Sequence, residues 1–190
     1  SGVDIPGEYI WKNTILNSSF YMFDSERYIM TYDNKSLRDL SANVPYDFIY
    51  IIANTQKYGG GAIYNHYGIS ISGNLHAAKV YVHEFGHLFL GLGDEYVEVG
   101  SSYNDMYPTN VEPWEANLTT LTNFKKKWKD MLDKDTPVPT TYDPQNPKKL
   151  GAYEGGGYVS KGVYRPRYDC LMNTLSGNDF CPVCARAIKK

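Results

Sequence analysis

His83 and His87 stand four residues apart, and Glu84 directly follows the first of them, which completes a His-Glu-x-x-His pattern. On a helix, residues four apart lie one turn above each other, so both imidazoles can direct a nitrogen at one metal ion. Glu84 lies too near His83 to coordinate comfortably, but it can deprotonate a water molecule beside the metal. The pattern predicts a hydrolase with one catalytic Zn²⁺, held by the two histidines, and Glu84 as its general base.

A catalytic zinc ion needs a third protein ligand and one open position for water. After His87 the chain contains Gly91 and Gly93, which can end the helix and return the chain toward the metal. Asp94 and Glu95 follow directly, and either carboxylate could supply an oxygen ligand. We expect Asp94 to be the third ligand, with Glu95 as the alternative.

The helix that positions these ligands is predicted around the motif, with Asn74 as its N-cap. Apolar residues at helical spacing predict one buried stripe, made of Leu75, Ala78, Val82, Phe85, Phe89 and Leu90. Gly86 costs about 1 kcal/mol of helix propensity relative to alanine, so we expect a tight contact against the backbone there.

The elements before this helix are predicted from periodicity and turn residues. Residues 28–32 form a possible strand, residues 36–41 a short helical turn, and residues 48–53 a buried strand. Residues 54–61 are expected to be a loop. Residues 62–72 alternate apolar and polar side chains, which predicts an edge strand that leads into the zinc helix.

Residues 83–96 resemble the motif of the bacterial immunoglobulin A peptidases, a family in the metzincin clan of zinc peptidases. That motif runs His-Glu-x-Gly-His and on to Gly-Leu-x-Asp-Glu-Tyr. Residues 168–173, Tyr-Asp-Cys-Leu-Met-Asn, resemble the Met-turn that metzincins carry beneath the zinc, and Met172 is the matching residue. The resemblance extends from Phe48 to the C-terminus and includes residues 58–61, 112–120 and 180–184.

The resemblance implies an α+β fold of the zincin or metzincin type. A twisted mixed sheet would pack on the active-site helix, and a smaller, irregular C-terminal lower half would carry the Met-turn and a terminal helix. The length and composition fit one metallopeptidase catalytic domain over residues 1–190. Its upper half would span about residues 1–93 and its lower half about residues 94–190.

The resemblance also suggests how the substrate binds. In this clan the edge strand above the cleft pairs with extended substrate backbone, as in recognition by strand addition. Five residues are the predicted substrate strand: Ala62, Ile63, Tyr64, Asn65 and His66. Tyr164 and Tyr168 are alternative candidates for stabilising the oxyanion, because a phenol near zinc can donate to developing negative charge.

Three cysteines, Cys170, Cys181 and Cys184, lie in the last quarter of the chain. An odd number permits one disulfide and leaves one thiol. A bridge from Cys170 to Cys181 or Cys184 would pin the Met-turn to the C-terminal helix in an oxidising compartment. The alternative is a second, structural metal site, for which no fourth ligand is evident among the nearby residues. We expect the disulfide.

Charge and hydropathy limit the partners. The net charge of −2 gives no basis for nucleic-acid binding, and the lysines of residues 125–129 fit the solvated face of a short helix over residues 121–132. The sequence contains no run of eighteen apolar residues, so we expect no membrane span in this chain. We expect a monomer that is secreted or attached to a bacterial cell surface, with its signal segment outside this sequence.

Together these features predict a zinc-dependent endopeptidase that hydrolyses peptide bonds of extracellular proteins, with a protein or peptide as its substrate. One alternative is a surface binding module for protein or glycan that uses zinc only as a structural staple. Another is a zinc hydrolase of a non-peptide amide, because the motif chemistry is the same and only the cleft separates the substrates.

Overall fold

The computed structural model describes residues 13–98, 106–177 and 179–189, and the chain forms two compact units, Ser1–Phe89 and Leu90–Lys190. The elements up to and including the helix of His83 and His87 are α1 (Asn34–Ser41), β1 (Ile49–Ala53), β2 (Gly60–Ile63), β3 (Tyr67–Ile71) and α2 (Ala77–Leu90). The second unit adds β4 (Tyr153–Gly156), β5 (Val159–Arg165) and α3 (Pro182–Ile188). Short 3₁₀ turns lie at Met22–Asp24, Phe124–Lys126 and Lys129–Met131. This mixture of helices and small sheets agrees with the predicted α+β class.

The sheet of the first unit has the strand order β1-β3-β2, with β1 parallel and β2 antiparallel to β3. The predicted single edge strand over residues 62–72 is therefore wrong, since residues 64–66 form a turn between β2 and a central, buried β3. Asn65 adopts a left-handed φ of 53° in this turn. The apolar and polar residues alternate through both strands, because the two arms of a hairpin place their apolar side chains on the same face. The sequence pattern therefore did not reveal the turn.

Several other predicted boundaries also change. The helical turn over residues 36–41 and the strand over residues 48–53 are confirmed as α1 and β1. The predicted burial of that strand is wrong, because Ala53 is the one buried residue of β1 and Ile52 is 55% exposed. The loop predicted over residues 54–61 ends at Gly59, because Gly60 and Gly61 already pair with β3. Residues 28–32 make only isolated bridges at Tyr28 and Met30 and no regular strand within the described residues.

The face of the sheet opposite α2 carries the core of the first unit. Asp33 caps α1 by accepting a hydrogen bond from the Ser36 backbone. The Tyr67 hydroxyl exchanges hydrogen bonds with the backbone of Thr31. The buried cluster consists of Phe20, Met22, Ile29, Met30, Leu37, Ala53, Tyr67, Ile69 and Ile71.

The buried face of α2 differs from the predicted apolar stripe. Leu75 precedes the helix and is 95% exposed, and Val82 and Phe89 are also exposed. The predicted N-cap Asn74 lies in the preceding turn, where its side chain accepts from the His76 backbone. The residues of α2 that are buried are Val80, Glu84, Gly86 and Leu88. Sequence periodicity failed here because a glutamate occupies the centre of the buried face.

Two glycines of the sheet allow α2 to pack this closely. A Cβ atom at Gly60 would lie 2.5 Å from Glu84 Oε1 and 2.7 Å from Val80 Cγ1. A Cβ atom at Gly68 would lie 3.2 Å from Leu88 Cδ2. Larger aromatic side chains pack at the margin, where the Phe48 ring contacts those of Phe85 and Phe89.

The second unit has less regular structure. The hairpin of β4 and β5 carries a bulge between Glu154 and Gly156, and the helix predicted over residues 121–132 consists of two 3₁₀ turns. Its core contains Leu92, Phe124, Trp128, Ala152, Cys170, Met172, Cys181, Val183 and Cys184. The indole of Trp128 donates to the Gly151 carbonyl. Among the described residues, no helix combines the length and the hydropathy needed to cross a bilayer.

We predict that Gly60→Ala destabilises the protein and lowers any activity that depends on Glu84. The added methyl group would overlap with the Glu84 carboxylate and push it from its place, at a cost of about 1–3 kcal/mol. Urea titration measures the free energy of unfolding. Gly177→Ala is the matched control, because its new methyl would meet its nearest atom at 3.5 Å. Equal stabilities of the two variants would contradict the close packing.

Candidate active site

His83 and His87 lie one turn apart on α2, and both side chains are half-buried. Their Nε2 atoms are 3.1 Å apart. With Zn–N bonds of about 2.05 Å, a tetrahedral zinc ion separates two nitrogen ligands by roughly 3.3 Å. The two imidazoles are therefore spaced to bind a single ion without rearrangement of the helix.

Glu84 is buried beside this pair, on the face of α2 that packs against the sheet. Its Oε1 atom approaches the backbone of Gly60 in β2, as the position of a Cβ there shows. Because β2 is the terminal strand of the order β1-β3-β2, the carboxylate lies next to a sheet edge. The position of the Glu84 carboxylate is therefore fixed by its packing against the sheet.

The predicted substrate strand is only partly a strand. Ala62 and Ile63 belong to β2, whereas Tyr64, Asn65 and His66 form the following turn. At its other end, the outer edge of β2 is already occupied: the Gly60 backbone exchanges hydrogen bonds with residues 27–29. The length of strand that could pair with a substrate is therefore shorter than predicted.

The His66 ring is bonded to α1. Its Nδ1 lies 2.8 Å from Arg38 Nη2, and its Nε2 lies 3.0 Å from Asn34 Oδ1. Burial and the adjacent Arg38 charge both lower the pKa of His66. These contacts join the turn to α1.

Asp94 lies in the segment that follows α2. Gly91 has a φ of 57°, the left-handed conformation that ends many helices, as predicted from its position. The Asp94 side chain is buried and accepts a hydrogen bond from the Tyr158 hydroxyl, while its backbone carbonyl accepts from the Gly157 amide. The carboxylate is thus oriented by a phenol, as metal-ligating carboxylates commonly are.

Glu95 has entirely different neighbours, although it is adjacent in sequence. It is fully buried, and its Oε1 accepts from Asn117 Nδ2 at 2.9 Å and lies 3.3 Å from Cys184 Sγ. Burial, reinforced by Cys170, raises the pKa of this carboxyl well above its usual range. Its backbone amide donates to the Met172 carbonyl at 2.8 Å. The side chain offered as the alternative zinc ligand is therefore directed at the cysteines.

Asn117 holds this segment in place and was missed by the sequence analysis. Its Oδ1 accepts from the Gly93 amide at 2.9 Å, and its Nδ2 donates to the Gly93 carbonyl at 2.8 Å. The same Nδ2 also bonds Glu95, so one buried amide fixes both sides of Asp94. Tyr158 was missed as well. One feature of the sequence could have identified Asn117: it lies within residues 112–120, a segment that resembles the same peptidase family.

The remaining predicted residues lie in the second unit. Met172 is fully buried in its core, next to the segment that carries Glu95. The Tyr164 backbone pairs with Thr119, and burial raises the pKa of the Tyr164 phenol. Tyr168 is partly exposed and stacks on Tyr142. Neither tyrosine has a contact that identifies it as the oxyanion donor, so both stay predictions.

The three cysteines form no disulfide in this structure, which corrects the predicted pairing. All three are free and buried. Cys184 Sγ lies 3.8 Å from Cys170 Sγ and 3.5 Å from Cys181 Sγ, whereas a disulfide requires about 2.05 Å. The thiols instead converge with Glu95, and the ligand atoms of the four residues all lie within 4.8 Å of one another.

Comparison with known proteins supports the resemblance of the motifs. The model of a family described as IgA Peptidase M64 matches residues 1–147 and 142–190, which together span the whole chain. A search of curated proteins finds no match.

We predict that Asn117→Ala lowers the free energy of unfolding by about 2–4 kcal/mol, because it removes three hydrogen bonds and leaves buried polar groups of Gly93 and Glu95 unsatisfied. Chemical denaturation measures the change. Asn123→Ala is the control, since that side chain is exposed. A loss no larger than that of the control would show that the clamp contributes little.

Proposed function

The chain belongs to the IgA peptidase M64 family, and from this membership we propose that it is a zinc-dependent endopeptidase that cleaves extracellular proteins. The observation that carries the zinc assignment is the 3.1 Å distance between the Nε2 atoms of His83 and His87, which matches two ligands of one tetrahedral ion. We place this activity in a monomer that is secreted or attached to a bacterial cell surface.

Asp94 completes the ligand set in this proposal. It follows the last residue of α2 by four positions, so the chain can carry its Cα no further than about 14 Å from that of Leu90. Its orientation by Tyr158 supports a ligand role. Glu95 is the weaker candidate, because its side chain is bonded to Asn117 and faces Cys184.

The bound ion would supply Lewis-acid chemistry, by lowering the pKa of a water molecule toward about 7 and polarising the scissile carbonyl. Glu84 accepts the proton that the attacking water loses as its oxygen bonds to the carbonyl carbon. When the carbon–nitrogen bond breaks, Glu84 donates that proton to the leaving amine. The packing of Glu84 against Gly60 limits its motion between these two transfers.

The substrate in this proposal is an extended peptide beside β2. Glu84 approaches β2 at Gly60, and Ala62 and Ile63 continue the same strand. Backbone pairing with Ala62 and Ile63 would bring a scissile bond near the Glu84 carboxylate without recognising particular side chains. This arrangement favours peptides over non-peptide amides, which offer no continuous backbone to pair.

We predict that Glu84→Gln abolishes peptide cleavage, with a loss of at least about 10²–10⁴-fold, while zinc stays bound. The amide keeps the shape of the side chain but cannot accept the water proton. The zinc-loaded parent and variant are incubated with a proteome-derived peptide library, and new termini are identified by mass spectrometry.

His83→Ala is the companion variant, for which we expect loss of both cleavage and zinc from this site. Retention of full turnover by Glu84→Gln would refute the base assignment. If neither the parent nor the variant produced new termini and both held zinc, the non-catalytic binding module would be favoured instead.

We predict that Asp94→Ala loses one equivalent of zinc after dialysis and that Asp94→His retains it, because imidazole can replace a carboxylate at zinc. Elemental mass spectrometry counts the zinc per chain. Asp133→Ala, which removes an exposed carboxylate, is the control and should keep the parental count. Undiminished zinc in Asp94→Ala would exclude Asp94 as the third ligand.

A further inference from the structure

We propose that the second unit contains a separate, structural zinc site formed by Glu95, Cys170, Cys181 and Cys184. Their ligand atoms all lie within 4.8 Å of one another. This inference does not rest on the proposed peptidase activity, since it uses none of the residues assigned to catalysis. It also supplies the fourth ligand that sequence inspection near the cysteines did not find.

The distances fit one tetrahedral ion. Zn–S bonds of about 2.3 Å and Zn–O bonds of about 2.0 Å separate two sulfur ligands by roughly 3.8 Å and a sulfur from an oxygen by roughly 3.5 Å. The Sγ atom of Cys184 lies 3.8 Å from that of Cys170 and 3.5 Å from that of Cys181. It lies 3.3 Å from Glu95 Oε1. The observed separations therefore agree with a mononuclear site to within a few tenths of an ångström.

Burial shows that this site would be closed. All four side chains are fully buried, and four protein ligands fill a tetrahedral shell without leaving a position for water. The second carboxylate oxygen of Glu95, Oε2, is buried and has no hydrogen-bond partner among the described residues. A buried carboxylate left in this state is costly, and coordination to a cation would compensate for its desolvation.

The surrounding groups suit thiolates. The Cys181 amide donates to Cys170 Sγ at 3.2 Å, and the Cys184 amide donates to Cys181 Sγ at 3.5 Å. Hydrogen bonds of this kind stabilise the deprotonated form of a thiol. The Cys-Pro-Val-Cys spacing of Cys181 and Cys184 is also a common arrangement of paired zinc ligands.

Two buried arginines offset the charge of the site. Three thiolates, one carboxylate and a divalent ion leave two negative charges in excess. Arg165 is near enough to Glu95, and Arg167 to Cys170, for their charges to interact. Arg167 also pairs with Asp179 at 3.3 Å, so its compensation is shared. On binding, the thiols release their protons to solvent, and no electron transfer is required.

Other uses of the same cysteines fit less well. A disulfide would bring two sulfurs to about 2.05 Å, shorter than the separations seen here, and would leave Glu95 without a partner for its second oxygen. An iron–sulfur cluster distributes its thiolates over two or more iron atoms, and thiolates on different irons lie further apart than ligands of a single ion. Three thiolates with one oxygen at these distances favour zinc among the common ions.

We expect two zinc ions per chain in the parent protein, counted by elemental mass spectrometry after purification without chelators. The double variant His83→Ala/His87→Ala should retain one, and Cys181→Ser/Cys184→Ser should lose the ion that the histidine variant keeps. Glu95→Gln preserves all three thiols and should bind the second ion at least about tenfold more weakly.

Cobalt(II) replacement separates the two sites without reference to activity. In the histidine double variant, which lacks the catalytic ligands, we expect a sulfur-to-cobalt charge-transfer band in the near ultraviolet. This result would hold whether or not the chain is a peptidase, and it does not depend on the folding of the cysteine variants. Absence of the band, or a disulfide between any two of the three cysteines in the freshly purified parent, would overturn the proposal.

Discussion

The segment that follows α2 carries two consecutive carboxylates, Asp94 and Glu95, whose side chains point in opposite directions. Their different partners are the main contacts of this segment within the second unit. Residues 94–98 pair with residues 157–158 through the Gly157 and Tyr158 amides and a bridge at Val97, so the segment is extended. In extended chain, successive side chains point to opposite sides. Asp94 accordingly meets Tyr158, and Glu95 meets Asn117 and Cys184. One segment can therefore contribute to two sites of different chemistry.

A comparable constraint governs the helix that carries the histidines. Glu84 is buried between α2 and the sheet, where an apolar residue would ordinarily lie, and Gly60 supplies the space that its carboxylate occupies. The helix thus gives up part of its apolar contact in order to hold an acid in a fixed place. Phe85 and Phe89 pack with Phe48 at the margin and contribute the apolar area that the centre lacks. The position of the Glu84 carboxylate is in this way determined by the packing of α2 against the sheet.

The local parts of this architecture could be predicted from the sequence, and the non-local parts could not. The histidine spacing, the end of α2 near Gly91 and the terminal helix α3 depend on residues within one or two turns of each other. The division of residues 62–72 into two strands depends on a turn that preserves the alternation. The Glu95–Cys184 contact joins positions 89 residues apart, and no spacing rule connects a carboxylate to a distant cysteine pair. Because Glu95 could not be recognised as a fourth ligand from the sequence, a disulfide was expected instead of a metal site.

The second unit has little regular secondary structure, so the metal site proposed at Glu95 and the three cysteines would help to stabilise it. Within residues 90–98, 106–177 and 179–189, its regular elements are one bulged hairpin and the seven residues of α3, so backbone hydrogen bonds alone fix few of these segments. A closed ion would join three of them: the segment of Glu95, the turn of Cys170 and Met172, and α3. The Glu95 amide already bonds the Met172 carbonyl, and coordination would add a second link between the same two segments. Because Asp94 is adjacent to Glu95, an ion that orders the second unit would also restrict the carboxylate proposed for catalysis. Removal of such an ion would then loosen the segment of residues 94–98 together with the turn of Cys170 and α3.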